Sequence, residues 1–243
     1  MSHNHQLQVV YILNRRIYQE SSLILDAFSF QHGRVSLIAK GVLKSKKNWS
    51  ALLQVFQPLL IDWSGRSSLK NITAVEAPGK ALNLVSDRLF CAYYINELIL
   101  KLLPEGEVNE EIFSFYITSL QFLAQGALIE PTLRKFEYLM LLHLGVLPDF
   151  LTDSQGAQVN GESIYRYESR QGFVRSSILN AFSFQGGDLI RVASLQFMDV
   201  QPPLDESTRA FLNRSKRLMR ILVNDALDGK VLKSRQLFAQ LIR

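Results

Sequence analysis

SSLILDAFSFQHGRVSLIAKGVLKSKKNWSALLQVFQPLLI, residues 21–61, is the stretch whose reading decides the fold. Residues 22–30 and 34–40 are short runs of Leu, Ile, Val and Phe joined by Gln31-His32-Gly33, which predicts two strands and a tight connection. Residues 41–57 form a longer connection whose patch Ala51-Leu52-Leu53 fits one helical turn. Outward from here, residues 7–13, 58–63 and 69–77 read as further strands, punctuated by Asn14-Arg15-Arg16 and Ser64-Gly65-Arg66.

Five short strands with a helical turn after the third have the size and order of an OB-fold barrel, although another β-sandwich has the same pattern. Pro78-Gly79 ends this part, giving a predicted boundary at residue 80. Beyond it the apolar period becomes helical. Residues 82–103 are apolar nearly all round and read as a buried central helix. Asn109, followed by Glu110 and Glu111, reads as the N-cap of a second helix running to about residue 125. Pro131 opens a third, residues 132–144. From about 148 to 185 the helical signal fails and short strands around tight turns take over. Helix returns at 187–193, at 206–227 and near Ser234. The expected class is α+β: an OB-fold domain over residues 1–80, then a mainly helical domain over 81–243 with a hairpin insertion.

Charge is sorted along the chain. Residues 27–61 hold no Asp or Glu but carry Arg34, Lys40, Lys44, Lys46 and Lys47. Residues 1–80 carry +6, residues 81–208 carry −8 and residues 209–243 carry +7, for a total of +5. One reading is a polyanionic partner gripped by two basic segments, and the other is an acidic middle that pairs with the basic ends inside the fold. The lysine loop is likewise either a solvated loop or a phosphate contact, with Trp49 either stacking on a base or anchoring the loop. In the helix at 206–227, Arg214, Lys216, Arg217 and Arg220 face away from an apolar stripe containing Phe211, Leu218 and Leu222. They form either a second phosphate-binding surface or an ordinary charged face. Arg66 and Lys70, at the fourth connection, join the DNA-contacting candidates.

Chemistry is harder to find. The chain has no GxxxxGK[ST] loop, no HExxH, no GxSxG and no paired CxxC, and it reads as a binding protein rather than an enzyme, with no cofactor. Cys91 is the single cysteine, which excludes an internal disulfide or a cysteine-built zinc site. His3 and His5 alternate like a metal clip but sit in what reads as a loose tail. The start lacks a signal-peptide pattern, so a cytoplasmic, nucleoid-associated protein is expected.

With these residues in view, the chain resembles the bacterial RecO family of recombination mediators. The resemblance rests on Tyr18-Gln19-Glu20-Ser21-Ser22-Leu23, Gly33-Arg34-Val35 and Ile38-Ala39-Lys40-Gly41, then Leu53-Gln54 with Phe56 and Pro58-Leu59. It continues in Tyr94-Ile95-Asn96-Glu97-Leu98, Leu133-Arg134-Lys135-Phe136-Glu137, Leu144-Gly145 and Leu232-Lys233-Ser234-Arg235. It implies an OB-fold followed by a helical domain, binding of single- and double-stranded DNA, and annealing of complementary strands. It further implies work with RecR to load RecA onto strands coated by single-strand-binding protein (SSB), and docking of the acidic SSB tail at Arg134 and Lys135. An RNA-associated OB protein is the alternative. Many members carry a four-cysteine zinc module where this chain has residues 151–176, which lack cysteine, so the resemblance is to the zinc-free branch. Val42 and Leu43 stand where the family often has an Arg, which moves the expected DNA contacts to Lys44, Lys46 and Lys47.

Overall fold

The computed structural model describes residues 6–45, 48–196, 200 and 202–241. Strands β1 (Gln8–Tyr18), β2 (Ser22–Ser29), β3 (Gly33–Ala39), β4 (Leu59–Ser64) and β5 (Leu69–Glu76) close into a barrel of order β1-β2-β3-β5-β4. The β3–β5 pairing is parallel and the others are antiparallel, β1 closing on β4. The helical turn expected after β3 is α1 (Trp49–Leu52). Alternation sends Leu23, Leu25, Ala27, Leu37 and Ala39 inward to a core shared with Val10, Ile12 and Ile61.

Strand β1 differs from expectation. Asn14-Arg15-Arg16 does not end it. The register shifts between Ile12 and Asn14, and the strand continues opposite β2 to Tyr18. A bulge adds one residue and bends the strand, so a polar stretch that looks like a turn is the far half of a long strand.

The chain divides into two compact units, residues 1–125 with 232–243 and residues 126–231. Helices α2 (Ser86–Leu102) and α3 (Glu110–Ala124) belong with the barrel. The Asn96 side chain of α2 donates to the Leu13 carbonyl at 2.8 Å, at the bulge. Phe113 and Tyr116 of α3 meet Tyr11 and Phe28 edge to face at 5.0 to 6.1 Å, each such pair adding about 0.5–1.5 kcal/mol beyond its burial. Asn109 caps α3 as expected, its side chain accepting from the Ile112 N–H at 2.8 Å. Gly33, at φ 63°, is required: a Cβ there would lie 1.9 Å from the Glu107 carbonyl oxygen. Helix α2 starts at Ser86 rather than 82, because Val85 is extended and the Leu82 N–H donates to the Phe56 carbonyl.

The second unit holds α4 (Ile129–His143), β6 (Ile164–Glu168), β7 (Gly172–Ser176), β8 (Ser183–Gln185), α5 (Gly186–Ala193) and α6 (Glu206–Ala226). Helix α4 begins before Pro131, which occupies its third position. The sheet runs β7-β6-β8. Where other family members are implied to hold zinc, this unit packs aromatics. Phe150 stacks near Tyr138 at 5.9 Å and meets Phe173 at 5.2 Å, while Tyr165 and Phe184 are fully buried. The Tyr165 hydroxyl accepts from the Asn160 N–H at 2.9 Å. Gly186 admits no side chain, since a Cβ would fall 2.0 Å from the Asn160 carbonyl.

Candidate nucleic-acid interface

The basic loop after β3 is pinned to the turn between β1 and β2. The Leu43 N–H donates to the Ser21 carbonyl at 2.9 Å, and the Gly41 N–H to the Ser22 hydroxyl at 3.2 Å. Lys40 is exposed and has no ion-pair partner among the described residues. Lys44 is exposed and bonds Glu20 at 3.0 Å, but both side chains are open to water. Such a surface pair is worth about 0–1 kcal/mol, so an incoming phosphate can displace it. Lys46 and Lys47 lie outside the described residues, as do His3, His5 and Arg243. Trp49 packs against the barrel core, which makes it the anchor of the loop rather than a stacking surface.

Arg66 is exposed in the β4–β5 connection, whereas Lys70 turns back to the Gly65 carbonyl at 3.1 Å. Arg34 departs from expectation. Its guanidinium is half-buried and donates to the Leu103 carbonyl, and its own carbonyl accepts from Gly106 N–H at 2.8 Å. Burial pulls its pKa below the usual arginine value, against the charges of Asp26 and Glu105. An Arg so placed holds the end of α2 on β3, where it is not presented to a phosphate.

Three cations of α6 are bonded inside their unit. Arg214 forms two bonds to the Asp188 carboxylate at 2.6 and 3.0 Å, and Lys216 bonds Glu130 of α4 at 2.6 Å. Arg217 donates to the Ser183 carbonyl at 3.0 Å with its guanidinium 4.9 Å from the Phe184 ring. Only Arg220 of the four is exposed and without a partner among the described residues. Asp188 and Glu130, both from the acidic middle segment, neutralise Arg214 and Lys216, Arg217 is bonded to a carbonyl, and Arg220 alone of the four is left free among the described residues.

Arg134 lies on α4. It is 4% exposed, bonded to Glu137 at 2.7 Å and 3.6 Å from Glu130. The guanidinium is thus held between two carboxylates of its own helix. Lys135 beside it is half-buried and engaged.

Sequence reasoning missed two arrangements. Arg16, in what read as a turn, and Tyr18 beyond it are exposed at the far end of β1. Glu97 of α2 caps α7 (Lys233–Leu241): its carboxylate accepts from the Lys233 and Ser234 N–H groups at 2.9 Å and from the Ser234 hydroxyl at 2.7 Å. Burial pushes its pKa up, but the bonds from Ser234 and Lys233 and the charge of Lys101 outweigh it and hold Glu97 below the ordinary carboxylate value. Arg235 donates to the Tyr94 hydroxyl at 2.9 Å. The stretches 94–98 and 232–235, noted separately in the sequence, form one clamp.

A five-stranded barrel with pinned basic loops and an appended helical body defines an OB-type protein. Residues 4–79 match the family described as Recombination protein O N terminal, and residues 85–213 match Recombination protein O C terminal. The chain is 37% identical over 236 residues to the DNA repair protein RecO of Haemophilus influenzae (strain 86-028NP), covering 97% of this chain and 96% of that one. It is 39% identical over 234 residues to the DNA repair protein RecO of Aliivibrio salmonicida, covering 96% and 94%, and 38% identical over 235 residues to that of Vibrio cholerae (strain ATCC 39541), also covering 96% and 94%. The chain belongs to the RecO family.

Proposed function

We propose that this chain, a member of a family of DNA repair and recombination proteins, binds single- and double-stranded DNA through its barrel, anneals complementary strands and acts with RecR in loading RecA onto SSB-coated DNA. The observation that carries the DNA part of the reading is the pairing state of the barrel cations: Lys40 and Arg66 are exposed without partners among the described residues, and Lys44 is held only by a surface pair. Phosphates of two strands held on such cations repel one another less, so bases pair sooner. RecR, RecA and SSB enter the reading on family membership alone. The test is annealing of complementary SSB-coated strands over a salt series, with and without the full chain. Faster annealing that fades as salt rises supports the reading, whereas a rate equal to that of SSB-coated strands alone at every salt concentration overturns it.

A further inference from the structure

We propose that Tyr18 is a base-stacking residue of the barrel, flanked by Arg16 and Lys40 as phosphate contacts, an inference that rests on the DNA-binding reading above. Leu23, Leu25, Leu37 and Ala39 point into the barrel, so alternation sends Ser22, Ile24, Ile38 and Lys40 to its outer side, where Ser22, Ile24 and Ile38 are covered and Lys40 is exposed. The register then fixes what lies beside them. Tyr18 stands opposite Ser22 and Arg16 opposite Ile24 on β1, while Leu23 stands opposite Ala39, so the next step places Ser22 opposite Lys40. Tyr18, Ser22 and Lys40 form one cross-strand row, and Arg16, Ile24 and Ile38 form the next on the same face.

Two interstrand spacings put Lys40 about 10 Å from Tyr18, and Arg16 follows about 7 Å along β1. Tyr18 is 43% exposed, and Arg16 and Lys40 are exposed with no partner among the described residues. Glu20, the acid of this turn, is matched by Lys44 at 3.0 Å. The row is also held still, because the bonds from Leu43 to Ser21 and from Gly41 to Ser22 tie the basic loop to the turn that bears the tyrosine. An aromatic side chain with one unpaired cation along its strand and another across the row, at a fixed end of the barrel, is complementary to a single strand, which offers a π-face and a phosphate at every nucleotide. A duplex keeps its bases stacked on each other and makes no such use of the ring.

The experiment is equilibrium binding of the full chain to labelled oligo(dT) and to an abasic strand of equal length, across salt, for the wild-type, Tyr18→Ala and Tyr18→Phe proteins. Tyr18→Ala is expected to weaken oligo(dT) binding about tenfold with an unchanged salt slope and to leave the abasic strand unaffected, while Tyr18→Phe stays within about twofold of wild type. Unchanged oligo(dT) affinity in Tyr18→Ala, or an equal loss on both strands, overturns the stacking role and leaves DNA binding by the barrel standing. Wild-type protein that binds neither strand overturns both readings.

Discussion

The barrel loops and helix α6 carry similar numbers of cations and look alike in sequence, yet they use them in opposite ways. On the barrel, Lys40 and Arg66 are exposed without partners among the described residues, and Lys44 has one partner in open solvent. On α6, Arg214, Lys216 and Arg217 are each bonded within their own unit. The difference lies in the acids within reach. Residues 27–61 contain none, whereas α6 packs beside elements that supply Asp188 and Glu130. A cluster of positive residues is a candidate binding surface only after its internal carboxylates have been subtracted.

Arg134 of α4 is where a substitution costs most. Replacing it with Ala leaves Glu137, 1% exposed, beside Glu130 with no guanidinium between them. The unit should lose about 3–5 kcal/mol, read by chemical denaturation. A loss under about 1 kcal/mol would show that the network is better hydrated than its burial indicates. A smaller cost is expected for Arg214→Ala, about 1.5–3 kcal/mol from the two lost bonds to Asp188, with the salt dependence of DNA binding unchanged. A flattened salt slope in that variant would return α6 to the DNA surface. The gentlest change is Lys40→Ala with Arg66→Ala. Stability should stay within about 0.5 kcal/mol, while the log–log salt slope for single strands falls by roughly 1.4, two contacts at about 0.7 each. An unmoved slope would remove these residues from the interface.

Much of the barrel was legible because its alternation is local: leucines at 23, 25 and 37 announce an inward face, and Gln31-His32-Gly33 announces a turn. The far half of β1 was not, since the bulge after Ile12 resets the alternation without any residue that signals it. The burial of Arg134 was written in the sequence as Glu130, Arg134 and Glu137 at helical spacing, one face of one helix. Arg214 was different, because Asp188 lies 26 residues away and the pairing depends on how α5 meets α6. The same limit applies to compactness. Pro78-Gly79 marks where strand pattern gives way to helix, but which helices cluster with the barrel is decided by side chains such as Asn96 and Phe113.

The clamp between α2 and α7 has a consequence for how the chain is made. Ser234 lies 137 residues beyond Glu97. At roughly 5–20 residues per second of ribosomal elongation, the partners of Glu97 emerge about 7 to 30 seconds after it does. All of residues 126–231 are synthesised in that interval, so the unit begun first is finished last. Translation thus leaves the barrel unit with an unfilled seat on α2 until the final helix is released.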